Sequence, residues 1–290
     1  MQSVTESLVQ IRALTVSYTS SVGQAIRALD GANLAIHVGE VVGVLGESGS
    51  GKSTLAGAML QLLPAYARYE SGEIWFRGQD LRTLGERGLR QIRGRDIALI
   101  GQDPAMYLNP VMKAGDQISE VLRAHTQLRA GDRRALVEAG LKDVALPRDV
   151  YSAYPHELSG GQRQRVAIAQ AMACRPALVI ADEATSKLDA TLQTEIISLM
   201  ADIRHRHGTA FLVITHDPTV LAGFADRIAV MYAGKVVEDD VAVNIFRHPH
   251  HPYTLSLLRL ARESIVGNTN RSMQFEGLDG QEVDHSRYDS

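Results

Sequence analysis

Gly46-Glu47-Ser48-Gly49-Ser50-Gly51-Lys52-Ser53-Thr54 follows the apolar run Val41-Val42-Gly43-Val44-Leu45 and opens a helical pattern that extends to Leu62. The spacing satisfies G-x-x-x-x-G-K-[ST] between a buried strand and a helix, the setting in which this pattern cradles phosphate. The glycines let the backbone curl so that successive N–H groups point inward at an anion. The helix that follows adds the positive end of its dipole. Lys52 is expected to reach the β- and γ-phosphates of a nucleotide, and the Ser53 hydroxyl to ligate Mg²⁺.

Further along, Leu178-Val179-Ile180-Ala181-Asp182-Glu183 is a buried strand ending in two carboxylates. Such a placement is costly unless the charges serve something. Asp182 is positioned to hold Mg²⁺ opposite Ser53, and Glu183 to polarise an attacking water. Other short apolar runs, Ile97 to Ile100, Phe211 to Ile214 and Ile228 to Met231, also read as buried parallel strands. Helical patterns at Gln162 to Ala173, Thr191 to His205 and Pro218 to Phe224 alternate with them. Strand–helix alternation predicts a three-layer α/β core. Val9 to Tyr18, Leu29 to His37 and Gly72 to Phe76 read as an antiparallel sheet beside it. Strands vanish between Asp103 and Pro155, where Asp116 to Gln127 and Gly131 to Gly140 predict a helical insertion.

Leu158-Ser159-Gly160-Gly161-Gln162 opens an Arg-rich, then Ala-rich helix. A Ser-Gly-Gly turn at a helix start offers bare N–H groups, a hydroxyl and a dipole to an anion. The order of phosphate loop, Ser-Gly-Gly turn and Asp182-Glu183 resembles ABC-type ATPases over about residues 9–240. The resemblance implies a P-loop NTPase cassette, with a RecA-like three-layer core, an antiparallel β subdomain and a helical subdomain over about residues 103–160. It implies ATP and Mg²⁺ as cofactors and ATP hydrolysis as the activity. Tyr18 stands where such cassettes place an aromatic that stacks on adenine. Gln102, in Gly101-Gln102-Asp103-Pro104, resembles the glutamine that senses Mg²⁺ and the attacking water. Ser186-Lys187-Leu188-Asp189 resembles the loop that crosses between two cassettes, with Asp189 near nucleotide. His216, after Ile214-Thr215, resembles the histidine that contacts the γ-phosphate. The Ser159 turn is implied to close over ATP bound by a second cassette. Two positions depart from the family pattern: Ala184 stands where Pro is usual after the catalytic Glu, and Lys187 where a small residue is usual.

Gln102-Asp103-Pro104, Leu108-Asn109-Pro110 and the later His248-Pro249-His250-His251-Pro252-Tyr253-Thr254 resemble the oligopeptide/dipeptide/nickel importer ATPases. That branch implies a second ATPase subunit, two transmembrane permeases and an extracytoplasmic solute-binding protein as partners, with the chain peripheral on the cytoplasmic face of the bacterial inner membrane. The alternative is the cassette subunit of a carbon–phosphorus lyase assembly, or another ABC ATPase that moves no solute. Some relatives carry a cysteine cluster near the His-Pro-Tyr-Thr element; the one cysteine here is Cys174, so no such cluster is expected. The three histidines of the element read as a surface accident rather than a metal site.

Composition agrees with this reading. The 30 Lys and Arg against 33 Asp and Glu give a net charge of -3, which predicts no nucleic-acid partner. A lone cysteine leaves no internal disulfide. No run approaches the ~20 apolar residues of a membrane helix. The first ten residues hold Glu6 and no basic residue, unlike a secretory signal. Residues 241–265 are expected to form a helical extension broken at Pro249 and Pro252, and residues 266–290 a polar, disordered tail.

Overall fold

The structure, a computed structural model, describes residues 7–19 and 24–266. Of the tail expected at 266–290, Val266 instead ends a helix, and 267–290 lie outside the described residues. An antiparallel sheet is built from β1 (Ser7–Thr19), β2 (Ala25–His37), β4 (Ala67–Phe76) and β5 (Gln79–Asp80), in the order β2-β1-β4-β5. The second sheet has six strands: β3 (Val41–Leu45), β6 (Ile97–Ile100), β7 (Leu178–Asp182), β8 (Ala210–Thr215), β9 (Arg227–Tyr232) and β10 (Lys235–Val241). Its order is β10-β9-β3-β8-β7-β6. All neighbours run parallel except β10, which folds back on β9.

The apolar runs of the parallel strands serve two cores at once. Val179, Ala181, Phe211, Val213, Ile228 and Val230 face one cluster. Their sequence neighbours Leu178, Ile180, Leu212, Ile214, Ala229 and Met231 face the other. That two-residue period is the strand's own, and it explains why these segments carry no polar face. On the second side, α1 (Lys52–Met59) contributes Leu55, Ala56, Ala58 and Met59 to the same cluster as Leu14, Val16, Leu29 and Ile74 of the antiparallel sheet. The helix carrying the phosphate-loop lysine is therefore bound to both sheets.

On the first side pack α4 (Ala114–His125), α5 (Ala130–Asp143), α6 (Gly160–Met172) and α7 (Ala190–His207). Two shorter helices complete the middle of the chain: α2 (Glu86–Ile92) and α3 (Pro104–Tyr107). Partly buried Cys174 packs against this core, and burial pushes its thiol pKa up. The region between Asp103 and Pro155 is helical, as expected from the loss of strand patterns.

Two local expectations change. Pro218 to Phe224 forms only a short 3₁₀ turn, Pro218–Val220, capped by Asp217. Gly223 adopts a left-handed φ of 75°, which stops the helix before it can grow. Pro252 does not break a helix; it opens one, because the missing N–H is not needed at the first position. The extension is thus α8 (Ala242–Arg247) and α9 (Pro252–Val266), joined through Pro249. Ile245 and Phe246 of α8 and Leu257 and Leu258 of α9 are buried in the same core as α7. Ala242 also donates its N–H to the Asp226 carbonyl at 2.9 Å.

Candidate active site

The loop between β3 and α1 needs its glycines for particular reasons. A Cβ at Gly46 would stand 2.3 Å from the Met231 carbonyl oxygen. One at Gly51 would meet the Ala28 carbonyl at 2.4 Å, on a backbone already at φ 106°. The loop is thus threaded between the start of β2 and the end of β9. Gly234, in the β9–β10 turn, donates its N–H to the Ser50 carbonyl at 3.0 Å and braces the loop from outside. No side chain caps the start of α1, so its first-turn N–H groups are left for an anion. Ser50 is buried, and its hydroxyl finds no partner among the described residues.

Lys52 is 5% exposed. Its ammonium donates to the Gly46 carbonyl at 2.7 Å and the Glu47 carbonyl at 2.8 Å. Burial lowers its pKa, opposed by the charges of Glu183, Asp182 and Glu47. The cation folds back on its own loop and faces the carboxylates of β7. Ser53 Oγ lies 3.4 Å from Asp182 Oδ1.

Burial pushes the Asp182 carboxyl above its ordinary range; the Ser53 hydroxyl opposes this, Glu183 adds to it and Lys52 opposes it. A hydroxyl and a desolvated carboxylate are hard oxygen donors, and a divalent cation would supply the positive charge that Asp182 lacks. This donor set fits Mg²⁺. The sign of the linkage is definite. An acid whose pKa is higher in the fold than in the unfolded chain is costly when ionised. That cost is present above the folded pKa and fades as pH falls through it. Asp182→Asn is therefore expected to raise the melting temperature of the nucleotide-free protein at neutral pH. The gap should close as pH drops toward the ordinary carboxylate value of about 4. Calorimetry across that pH range checks it; a gap that is absent, or that widens in acid, counts against the assignment.

Glu183 occupies the turn after β7 at φ 49°, a left-handed backbone that a non-glycine side chain seldom adopts. Its N–H is tied to the Ile214 carbonyl at 2.9 Å. Each carboxylate oxygen is held separately. Gln102 Nε2 donates to Oε2 at 2.8 Å, and His216 Nδ1 lies 3.1 Å from Oε1. The His216 contact is a hydrogen bond when Nδ1 carries the ring proton. Gln102 comes from the end of β6 and His216 from the end of β8. The C-terminal ends of three parallel strands thus meet at one carboxylate beside the phosphate loop, where ligands bind in open α/β sheets.

Ser48, Gly49, Gly51, Lys52, Ser53, Thr54, Gln102, Asp182 and Glu183 line one open cleft. Tyr18 stands beside it, its hydroxyl 3.1 Å from Thr54 Oγ1 and its ring 5.7 Å from that of Tyr66. Ser159, Gly160, Gly161, Gln162 and Asp189 do not line the cleft. Ser159 and Gln162 form a reciprocal capping box at the start of α6. Asp189 caps α7 through the Leu192 N–H at 2.9 Å.

Three contacts were not legible in the sequence. Ser186 Oγ lies 3.3 Å from Gln102 Nε2. Lys187, one of the two departures from the family pattern, forms a 2.7 Å ion pair with Asp103, so its side chain is satisfied within its own chain. Asp103 is held below its ordinary pKa chiefly by that bond. Tyr253 accepts the Glu47 N–H at 2.9 Å from 206 residues away. Gln102-Asp103 and Ser186-Lys187 each pair a polar group with a neighbour, but no spacing rule links them. Among the described residues no group of three His, Cys, Asp or Glu side chains converges to hold a metal.

A glycine-lined loop, an oriented carboxylate and a desolvated acid meet at one cleft, the arrangement expected of a phosphate-loop ATPase. The family description "ABC transporter" matches residues 29–186. The chain is 43% identical over 254 residues to the oligopeptide transport ATP-binding protein OppD of Bacillus subtilis, covering 87% of this chain and 71% of that one. It is 44% identical over 242 residues to the dipeptide transport ATP-binding protein DppD of Escherichia coli, covering 82% and 73%. It is 44% identical to the peptidoglycan transport ATP-binding protein YejF of Agrobacterium fabrum over 88% of this chain, but spans only 47% of that longer protein. Among solved structures, a dimeric ATP-binding cassette in a post-hydrolysis state with ADP and Pi superposes with a TM-score of 0.72 at 30% identity, covering 81% of this chain and 98% of that one. This chain belongs to the ABC transporter family and is one of its ATP-binding, ATP-hydrolysing subunits. The relatives favour a transport role over the carbon–phosphorus lyase alternative. No helix among the described residues is long and apolar enough to cross a membrane.

Proposed function

We propose that this subunit powers a bacterial importer of peptides or related small solutes from the cytoplasmic face of the membrane. The carrying observation is Glu183, held between Gln102 and His216 at the mouth of the phosphate-loop cleft, in a chain more than 40% identical to peptide-transport ATP-binding proteins.

ATP lies with its triphosphate on the loop from Gly46 to Thr54 and its base toward Tyr18. Lys52 reaches the β- and γ-phosphates. Ser53 and Asp182, with Gln102, would hold Mg²⁺, which would neutralise charge on the bound triphosphate. Glu183 orients water for in-line attack, with Gln102 and His216 fixing its carboxylate. Donors arranged on one side of the triphosphate leave the other open. The Ser159-Gly160-Gly161 turn of a second cassette, with Asp189 nearby, closes it. ATP thereby favours the paired state, and hydrolysis releases it. The motion is passed to two permease subunits, which an extracytoplasmic binding protein supplies with solute. The exposed Met106, Tyr107 and Val111 beside Gln102 are suited to that contact.

The test is reconstitution of the chain with two permease subunits and an extracytoplasmic solute-binding protein of a peptide importer. Peptide-loaded binding protein should accelerate ATP turnover and drive peptide uptake. A complex that assembles yet responds to no peptide or related solute would refute the import reading.

A further inference from the structure

The His-Pro-Tyr-Thr segment has no part in the chemistry above, yet it touches the phosphate loop. The Tyr253 hydroxyl accepts the Glu47 N–H at 2.9 Å. We propose that Tyr253 is a positioning residue of the nucleotide site, holding the first half of the phosphate loop in its phosphate-binding form. This inference rests on the assignment of the Gly46–Thr54 cleft as the ATP site.

The segment is built to place that hydroxyl. Glu238, on β10, accepts the His250 N–H on one oxygen at 2.7 Å and the His251 N–H on the other at 3.1 Å. His251 Nδ1 accepts the Tyr253 N–H at 3.2 Å, which places the proton of a neutral ring on Nε2. Pro252 fixes φ at the first position of α9. The Tyr253 ring lies against Tyr232, at the end of β9, with centroids 4.4 Å apart. Leu257 and Leu258 root the helix in the core. A continuous series of contacts thus runs from β10 through both histidines to Tyr253 and into the loop.

The loop needs a tie at this point. Glu47, Ser48 and Gly49 are exposed, and Gly49 takes a φ of 84°. The Glu47 carbonyl is held from inside, by Lys52 at 2.8 Å and by the Ser50 N–H at 3.2 Å. Tyr253 grips the same residue from outside, away from the lysine, so its bond does not compete with one from Lys52 to phosphate. Its contribution belongs to nucleotide affinity and not to the attack on phosphorus.

Tyr253→Phe removes the hydroxyl and keeps the ring against Tyr232. For the full-length protein it should raise KM for ATP, and Kd for a fluorescent ATP analogue, about three- to tenfold, the effect of one lost hydrogen bond. Turnover at saturating ATP should stay within about twofold, and the melting temperature without nucleotide should fall by no more than about 4 °C, the global cost of one hydrogen bond. His251→Ala, which removes the acceptor for the Tyr253 N–H, should shift KM in the same direction by less. Unchanged KM and Kd in Tyr253→Phe would overturn the proposal. So would a loss of turnover and of nucleotide-free stability that matched the loss of affinity, since a general structural role would act that way. A wild-type chain without affinity for ATP would overturn the site assignment itself, and the role of Tyr253 with it.

Discussion

Glu183→Gln is expected to reduce ATP turnover about 10²- to 10⁴-fold, the range a positioned general base supplies, while ATP affinity stays within about twofold of wild type. The geometry explains the separation. Glu183 meets the nucleotide cleft at its mouth, held by Gln102 and His216. The phosphate grip is built elsewhere, from the loop backbone and Lys52. Glutamine preserves the length and one acceptor oxygen, so Gln102 keeps a partner, but the amide has little capacity to draw a proton from water. With hydrolysis blocked, ATP should accumulate between paired cassettes, and size-exclusion chromatography with ATP and magnesium should show the pairing. Wild-type turnover in the variant would remove Glu183 from the mechanism.

Lys52→Ala should act at the opposite end of the site, weakening ATP binding by about 10²-fold or more. The estimate follows from the loss of a charge-assisted bond to each of two phosphates, at about 1.5–3 kcal/mol for a hydrogen bond to a charged group. Two effects add. The triphosphate loses its buried cation. The loop also loses its inner clamp, because Lys52 donates to both the Gly46 and Glu47 carbonyls. Asp182 and Glu183 would then face each other with less compensation, so the Asp182 carboxyl should rise further in pKa. Equilibrium titration with a fluorescent ATP analogue measures the affinity. Binding at wild-type strength would mean that the backbone N–H groups carry the triphosphate unaided.

Much of this site can be read from the chain because its parts are local. Gly46 to Thr54 is a single strand–turn–helix, and Asp182-Glu183 and Thr215-His216 are strand ends whose position follows from apolar runs of five or six residues. What the sequence conceals is where distant backbone groups meet. Tyr253 reads as the start of a helix, and nothing in its spacing shows that its hydroxyl reaches Glu47. Lys187 reads as an oddity until Asp103 is found beside it. The helix expected at 218–224 fails for a related reason, since a three-residue turn and a short helix share one apolar pattern and only the φ of Gly223 separates them. The Ser159 turn is legible as an anion-binding device, but its folded environment is that of an ordinary capping box, apart from the chain's own cleft.

The left-handed φ of Glu183 has a practical consequence for engineering this protein. Glycine or asparagine would suit that backbone better than glutamate, so a redesign guided by thermal robustness alone would select against the side chain proposed to activate water. Screens for hardier variants should keep position 183 fixed and look for gains in the helical layers instead.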